Sequence, residues 1–437
     1  IPQITAPSGG WNEGTIADYM GIPTKVANIS VNALPFRAYA KIYNDWFRDE
    51  NLQSNDHIYK DETTRTGSNN QGATHAELGG QPNFAAKMHD YFTSCLPEPQ
   101  KGTPVQIPLG TVSPVVTGQT THTMPSYNML WNVGGADATH LAQVGIDSTL
   151  NTTVPVNAAD QDTKPTYTSG AVPTNLYADL SQATAATINQ LRTAFAIQKY
   201  YENAGLHGTR YIEYIRSVFG VTSSDARMQR AEYLGGTRVP INIDQIIQTS
   251  STDSVSPQGN TAGFSCTINK DKMFTKSFEE HGTLMGLIVT RTEHTYQQGL
   301  HKKWTRKKWT DFYNPFFANL GEQAVLNENI YAQGTATDKE AFGYQEAWAE
   351  YRYKENRVSG YMRSNATGSL DVWHFADNYS SLPTLSNAWI VEPKTNVDRV
   401  LAVTSNITHQ FIGDFFFKCY YTRAMPIYSI PGLIDHV

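Results

Sequence analysis

The stretch His301-Lys302-Lys303-Trp304-Thr305-Arg306-Lys307-Lys308-Trp309 holds the densest chemistry in this chain of 437 residues. Lys302, Lys303, Arg306, Lys307 and Lys308 set five cations around two indoles, and Asp311, Phe312, Tyr313, Phe316 and Phe317 follow at once. Cations neutralise phosphates while flat rings stack on unpaired bases, so the combination suits a single-stranded nucleic acid. The same residues suit cation–π packing, a basic rim against an acidic neighbouring subunit, or a solvated face. The whole chain carries a net charge of −6, so the positive character is local. Lys302, Lys303, Trp304, Arg306, Lys307, Lys308 and Trp309 are the candidates for contact with DNA or with another subunit.

Other chemistries find less support. Twelve histidines include no HExxH and no His-x-His pair, and His75, His89, His122 and His140 lie far apart. No zinc site, and no cofactor, is therefore expected. A phosphate loop of the GxxxxGK[ST] type and a GxSxG elbow are both missing from the sequence. Glu279-Glu280-His281, and Glu346 with Glu350, read as a charged turn and an ordinary helix face rather than acid–base pairs. Cys95, Cys266 and Cys419 are odd in number and form no CxxC, which argues against a disulfide framework and fits a reducing compartment. No apolar run reaches the roughly 18–20 residues of a membrane span.

The elements that position these residues are partly readable. Pro35 suits a first helical position, and Phe36, Tyr39, Ile42, Tyr43, Trp46 and Phe47 recur at helical spacing, predicting an aromatic amphipathic helix over 33–50. A short strand, Val26 to Val31, precedes it. Residues 53–83 read as surface loop, and a short helix is expected over Ala85–Ser94, stopped by Pro97 and Pro99. Thr187 with Gln190 forms a capping box that opens a helix over 187–205, with Ile188, Leu191, Ala194, Phe195 and Ile197 as its apolar face and Gly205 as its stop. A second helix spans about 210–219. Strands are expected at Ile241–Ile247, Leu284–Arg291, Leu370–Phe375, Arg399–Thr404 and His409–Tyr421, the last buried on both faces.

Residues 111–175 differ from their surroundings. Their only Asp, Glu, Lys or Arg residues are Asp137, Asp147, Asp160, Asp162 and Lys164, among Thr, Gly, Asn, Val, Ala and Pro. A tract this long implies a disordered segment or a functional insertion, and its Val and Thr content favours a small β-rich excursion. Over the whole chain, charged residues make up 17%, against roughly 25% in an average soluble protein, and Tyr, Phe and Trp are plentiful. That composition suits a mainly β protein with long loops and extensive neighbour contact, and it suits a large β-rich enzyme equally well. A carbohydrate-active enzyme with 111–175 as a flap, or a lectin-like adhesin, are thus the rival readings.

One set of strings goes further. Leu34-Pro35-Phe36-Arg37-Ala38-Tyr39-Ala40-Lys41-Ile42-Tyr43-Asn44-Asp45-Trp46-Phe47-Arg48 closely resembles the major capsid protein of small single-stranded DNA phages, the gokushovirus branch of the Microviridae. Gly321-Glu322-Gln323-Ala324-Val325, Ile330-Tyr331-Ala332-Gln333-Gly334 and Phe342-Gly343-Tyr344-Gln345-Glu346 resemble the same family in the same order. So do Ala349-Glu350-Tyr351-Arg352-Tyr353-Lys354, Gly368-Ser369-Leu370-Asp371-Val372-Trp373-His374 and Val397-Asp398-Arg399-Val400. These strings are specific for family, not for chemistry. The basic stretch departs from the family's wording at Lys307–Thr310.

The resemblance implies a structural protein rather than an enzyme. It implies an eight-stranded viral jelly roll with long loop insertions containing helices. The capsid core would comprise 1–110 and 176–437, the latter holding helices over 187–219 and the later strands. Residues 111–175 would form an outward threefold protrusion, with Tyr127, Trp131, Asn151 and Tyr167 as candidates for host attachment. The expected assembly is a T=1 icosahedral shell of identical subunits around circular single-stranded DNA, built in the bacterial cytoplasm and located in the virion. Lys25 is the only cation in residues 1–30, so a basic arm is not seen there. A small basic packaging protein, a minor or pilot protein and a host receptor complete the implied partners. Family members also carry a segment ahead of the position matching Ile1, including early barrel strands, which implies a fragment or processed form.

Overall fold

The computed structural model describes residues 1–106, 115–117, 129–132, 141–144, 176–178, 187–224, 229–244, 246–249, 254, 258–259 and 265–425. The chain divides into two compact units, one formed by Ile1–Pro99 with Gly220–Val437 and the other by Gln100–Phe219.

The first unit opens with β1 (Gln3–Thr5), which buries Ile4 between outward neighbours as strand alternation requires. A one-turn helix α1 (Ile16–Tyr19) is capped by the Thr15 hydroxyl, which accepts from the Asp18 amide at 3.3 Å. β2 (Ser30–Asn32) pairs antiparallel with β1, Ile4 opposite Val31, and covers only the end of the expected Val26–Val31 strand. Helix α2 (Leu34–Ile42) carries Pro35 in its first turn and turns Phe36, Tyr39 and Ala40 inward. β3 (Arg65–Thr66) completes a three-stranded sheet by pairing parallel to β1. Trp11 is wholly buried against Phe36, their ring centroids 6.3 Å apart, and its indole donates to the Leu78 carbonyl at 3.2 Å. Gly79 is required here: its φ is +77°, and a Cβ would lie 2.9 Å from the Trp11 ring.

The helix expected over 33–50 is α-helical only to Ile42, and Tyr43–Phe47 form a π turn. Side chains that grip backbone elsewhere accompany this change. Asn44 exchanges two hydrogen bonds with the backbone of Asp56 at 2.7 and 2.8 Å. Asp45 accepts from the Ala231 amide, and the Trp46 indole donates to the Ala231 carbonyl. The extra residue in a π turn lets successive side chains reach these separate partners.

In the second unit, β4 (Val115–Thr117) pairs antiparallel with β7 (Leu176–Ala178), while β5 (Met129–Asn132) pairs antiparallel with β6 (Leu141–Val144). The charge-poor tract therefore leaves and returns close to one two-stranded ladder. Helix α3 (Ile188–His207) starts at the capping box of Thr187 and Gln190 and continues two residues past Gly205. Helix α4 (Tyr211–Phe219) follows, and the Tyr200 and Tyr214 rings meet at 6.2 Å. The apolar face expected for the first of these helices lies largely open, with Ile188 and Phe195 exposed, and Tyr211, Val218 and Phe219 of α4 are exposed too.

The rest of the first unit packs around β8 (Gln323–Leu326) and β9 (Ala341–Gln345), an antiparallel pair with an irregularity at Val325 and Leu326. Their core unites Phe92, Tyr296, Val325, Ile330, Phe342, Trp389 and Ile390. Several expectations fail here for local reasons. Residues 85–94 are not helical, because the Asp90 carboxylate accepts from the Phe92 and Thr93 amides and holds a turn. Asp371–Trp373 is a 3₁₀ turn in place of a strand: Arg399 donates to the carbonyls of Asp371, His374 and Ala376, which a ladder would have used. Lys394–Val400 is helical, taking in the start of the strand expected at Arg399. Residues 284–291 and 409–421 are without ladder partners, and 241–247 shows only a bridge at Ile247 among its described residues. Apolar alternation marks a chain ready to extend, but a ladder also needs a partner strand. Small sheets joined by long irregular segments are thus the observed architecture.

Candidate functional site

The basic stretch folds as three single 3₁₀ turns, Lys302–Trp304, Trp309–Asp311 and Pro315–Phe317. His301 opens the first, its Nδ1 accepting from the Lys303 amide at 3.0 Å. Asn314 caps the third by accepting from the Phe316 amide at 3.0 Å. Between them, the Asp311 carboxylate accepts from the amides of Lys307 and Lys308 at 2.8 and 2.9 Å, and those bonds hold its pKa below the ordinary value. Such short turns splay neighbouring side chains in different directions, where a continuous helix would align them.

The turns divide the candidate residues into two sets. Lys302 and Arg306 point toward Glu350, whose side chain is 5% exposed, with nitrogen–oxygen separations of 3.6 and 3.1 Å. Arg306 also lies over the Tyr351 and Phe312 rings, 4.4 and 5.3 Å from their centroids. Trp348 sets this up from the far side. It takes a left-handed conformation at φ +68°, and its indole donates to the Phe317 carbonyl at 2.8 Å. A tryptophan in that region is strained, and the strain opens the turn that aims Glu350 inward.

Lys303, Trp304, Lys307, Lys308 and Trp309 form the other set, and all are exposed. Lys303 Nζ stands 4.9 Å from the Trp304 ring centroid, and Trp309 leans on Phe317 at 6.0 Å. Trp304 is 68% exposed, Trp309 72% and Phe316 94%. Among the described residues, no carboxylate stands within ion-pair distance of Lys303, Lys307 or Lys308. The surface is therefore cationic and aromatic, with the Asp311 carboxylate near Lys308 as its acid.

A small cleft beside the cluster is lined by Tyr91, Phe92, Tyr296, Tyr353, His301, Glu350 and Glu355. Two carboxylates among aromatics match the outline of a hydrolytic pair. Glu350 is already matched to Arg306 and Lys302, however, and Glu355 Oε2 lies 3.6 Å from His301 Nε2. Burial pushes the Tyr91 and Tyr353 hydroxyls well above the ordinary tyrosine value, which leaves them neutral. Among the described residues no group of three or more His, Cys, Asp or Glu side chains could hold a metal ion, and no helix is long and apolar enough to cross a membrane.

A second charged cluster of the same unit escaped sequence reading altogether. The His294 side chain is 1% exposed, with Nδ1 3.0 Å from Asp377 Oδ1 and Nε2 3.0 Å from Glu392 Oε2. Lys87 Nζ lies 3.6 Å from Asp377 Oδ2 and 4.5 Å from the Trp389 ring centroid. Tyr379 and Asn396 also donate to Asp377. Burial depresses the His294 pKa, but hydrogen bonds to Asp377 and Glu392 outweigh it and raise the value to about 9. Burial likewise pushes Asp377 up, but the His294 bond and the Lys87 charge hold it at about 2. With both ring nitrogens facing carboxylates, His294 is an imidazolium.

Tyr127, Asn151 and Tyr167 lie outside the described residues, and Trp131 sits on β5 opposite Ala142 of β6. Sequence reading missed Glu350 and Trp348 as parts of the basic site. Glu350 lies 44 positions from Arg306 and carried only the outline of a helix face.

Comparison with known proteins covers almost the entire chain. The family described as capsid protein (F protein) matches residues 1–433. The chain is similar to "Capsid protein VP1" of Spiroplasma virus 4, with 44% identity over 99% of this chain and 79% of the relative. It is 45% identical to "Capsid protein VP1" of Bdellovibrio phage phiMH2K over 99% of this chain and 78% of the relative. Identity to "Capsid protein VP1" of Chlamydia phage 1 is 36%, over 99% of this chain and 80% of that protein.

Proposed function

The chain belongs to the capsid protein (F protein) family, and from that premise we propose that it tiles a T=1 icosahedral shell around a circular single-stranded DNA genome. It is a structural protein of a microvirus-type phage virion, not an enzyme. The single observation that carries the reading is the match along nearly its whole length to proteins that form capsids.

The proposed fold is a viral jelly roll, in which the extended segments within 241–247, 284–291 and 409–421 become ladder strands once paired. Their exposed side chains support this, with Ile412 at 99% and Phe416 at 90% exposure. Large apolar groups on unpaired backbone are costly in water, and pairing within a closed shell covers both the rings and the peptide groups. Repetition by symmetry multiplies each weak contact.

Residues 111–175 serve as the outward protrusion at the threefold axes and meet a host receptor, using groups such as Tyr127, Trp131, Asn151 and Tyr167. The ladder between β4 and β7 supports this by tying the base of the excursion. Inside, the shell meets the genome, a small basic packaging protein and a minor or pilot protein. Assembly takes place in the bacterial cytoplasm. The basic aromatic stretch contacts DNA or a neighbouring subunit.

Negative-stain microscopy of the expressed protein tests the shell: uniform closed particles or pentamers are expected, and monomers alone would overturn it. Deleting 118–170 should abolish adsorption to the host while shells still form. Loss of assembly instead would refute the attachment role.

A further inference from the structure

Read as a string, Lys302–Trp309 offers five cations to one partner, but the folded chain divides their duties. Lys302 and Arg306 are held by the buried Glu350, and Arg306 is further covered by Tyr351 and Phe312. Neither is free to neutralise an outside anion without leaving a carboxylate stranded. Lys303, Lys307 and Lys308 are exposed and lack a carboxylate within ion-pair distance among the described residues. Trp304 and Trp309 stand out beside them, along with Phe316.

Resting on the reading of a shell around single-stranded DNA, we propose that Lys303, Trp304, Lys307, Lys308 and Trp309 bind unpaired DNA, the indoles stacking on bases and the lysines meeting phosphates. Lys302 and Arg306 belong to the scaffold beneath. The residue types favour this occupant over a second copy of the chain. Protein interface cores are depleted in lysine and rely on arginine forks for carboxylates. Here the one arginine is consumed internally, and the free cations are all lysines, which meet phosphates of varied geometry as point charges. Exposed indoles beside them offer the flat, sequence-tolerant surface that single strands require. Lys303 already covers the Trp304 ring from one side, so a stacked base would complete a cation–ring–base sandwich.

The test uses anisotropy of a labelled oligothymidylate titrated with the full chain over a range of salt, alongside electron microscopy of assembly. Trp304→Ala and Trp309→Ala should each weaken binding about 5- to 100-fold, with Phe at either position restoring most of it. Changing Lys303, Lys307 and Lys308 together to Gln should lower the salt slope by about 2, from about 0.7 for each single-strand phosphate that is no longer neutralised. Duplex DNA should compete poorly, because its bases are already stacked. Thermal melting of each variant separates weakened recognition from unfolding, and the Phe variants keep the test valid if an Ala variant unfolds. The proposal is overturned if the parent protein does not bind the oligonucleotide, or if the variants bind it as the parent does. Variants that bind DNA normally but stop shells forming would identify a subunit interface and overturn it too. Failure of the parent to form shells would instead defeat the shell reading, and oligonucleotide binding is scored independently of it.

Discussion

The two charged clusters of the first unit are built from similar residues and arrive at opposite states. Around His294, the ring and Lys87 face Asp377 and Glu392, and Arg291 and Arg399 add positive charge toward the same two carboxylates. In the 302–309 stretch, Glu350 matches only the cations that face inward, and three lysines are left in water without an ion-pair partner among the described residues. Burial makes the difference. An unpaired charge inside costs several kcal/mol, so each buried charge must face an opposite one, whereas an exposed cluster keeps its excess at almost no cost to stability. The inner cluster therefore ties together chain segments that are distant in sequence, and the outer one holds its charge available for a partner.

That contrast is broken most forcefully at Asp377. Asp377→Asn removes the carboxylate that faces both His294 and Lys87, and should lower stability by about 3–5 kcal/mol in a chemical-denaturation or melting measurement. A loss below about 1 kcal/mol would mean the inner network is ornamental. Alkaline pH attacks the same cluster more gently. The His294 pKa lies at about 9 in the folded chain against an ordinary 6.5, so its stabilising contribution is complete below about pH 6.5 and disappears as pH rises through 9. The gap corresponds to about 3 kcal/mol at most. Asp377 runs the other way: its contribution is complete above about pH 4 and is lost as pH falls through 2. Both shifts describe one interaction from its two ends, so they do not add. Melting followed from pH 6 to 10 should show the alkaline loss in the parent and a flatter profile in His294→Gln.

Much of this arrangement was legible where the signal is local. Pro35 and the spacing of Phe36, Tyr39 and Tyr43 mark α2, and Thr187 with Gln190 marks the start of α3. The π turn at Tyr43–Phe47 was not legible, because its partners near Asp56 and Ala231 are distant in sequence. Residues 85–94 misled for a related reason: a helix stopped by Pro97 and Pro99 was expected, but the Asp90 side chain took the Phe92 and Thr93 amides into a turn. The same limit applies to the sites. Cations interleaved with tryptophans are visible as a string, while their division into bound and free sets depends on Glu350. His294, Asp377 and Glu392 are single unremarked residues until the fold brings them within 3.0 Å.

Glu350 is the point where the two designs meet, since it is buried, between Asp377 and Glu392 in exposure, but serves the outer cluster. Glu350→Gln should cost about 2 kcal/mol, because Arg306 keeps its ring contacts but loses its charge partner. The same change releases Lys302 and Arg306, so binding to an oligonucleotide should become stronger and more salt-sensitive. A variant that is destabilised without any gain in binding would show that the inward pair never reaches the outer surface.

The smallest effect is the most discriminating. Converting Lys303, Lys307 and Lys308 to Gln removes three like charges with no ion-pair partner among the described residues, so every folded-state ion pair among those residues is kept. Stability should therefore stay within about 0.5 kcal/mol of the parent, because relief of repulsion among the lysines offsets the lost attraction between Lys308 and Asp311. Any residual change should vanish at 1 M salt, where screening acts over about 3 Å. Salt should barely alter the cost of Asp377→Asn, because the inner cluster is shielded from ions. Melting temperatures of both variants at low and high salt measure the comparison directly. If the lysine variant is destabilised at either salt, the outer cations are structural after all, and the division between the clusters fails.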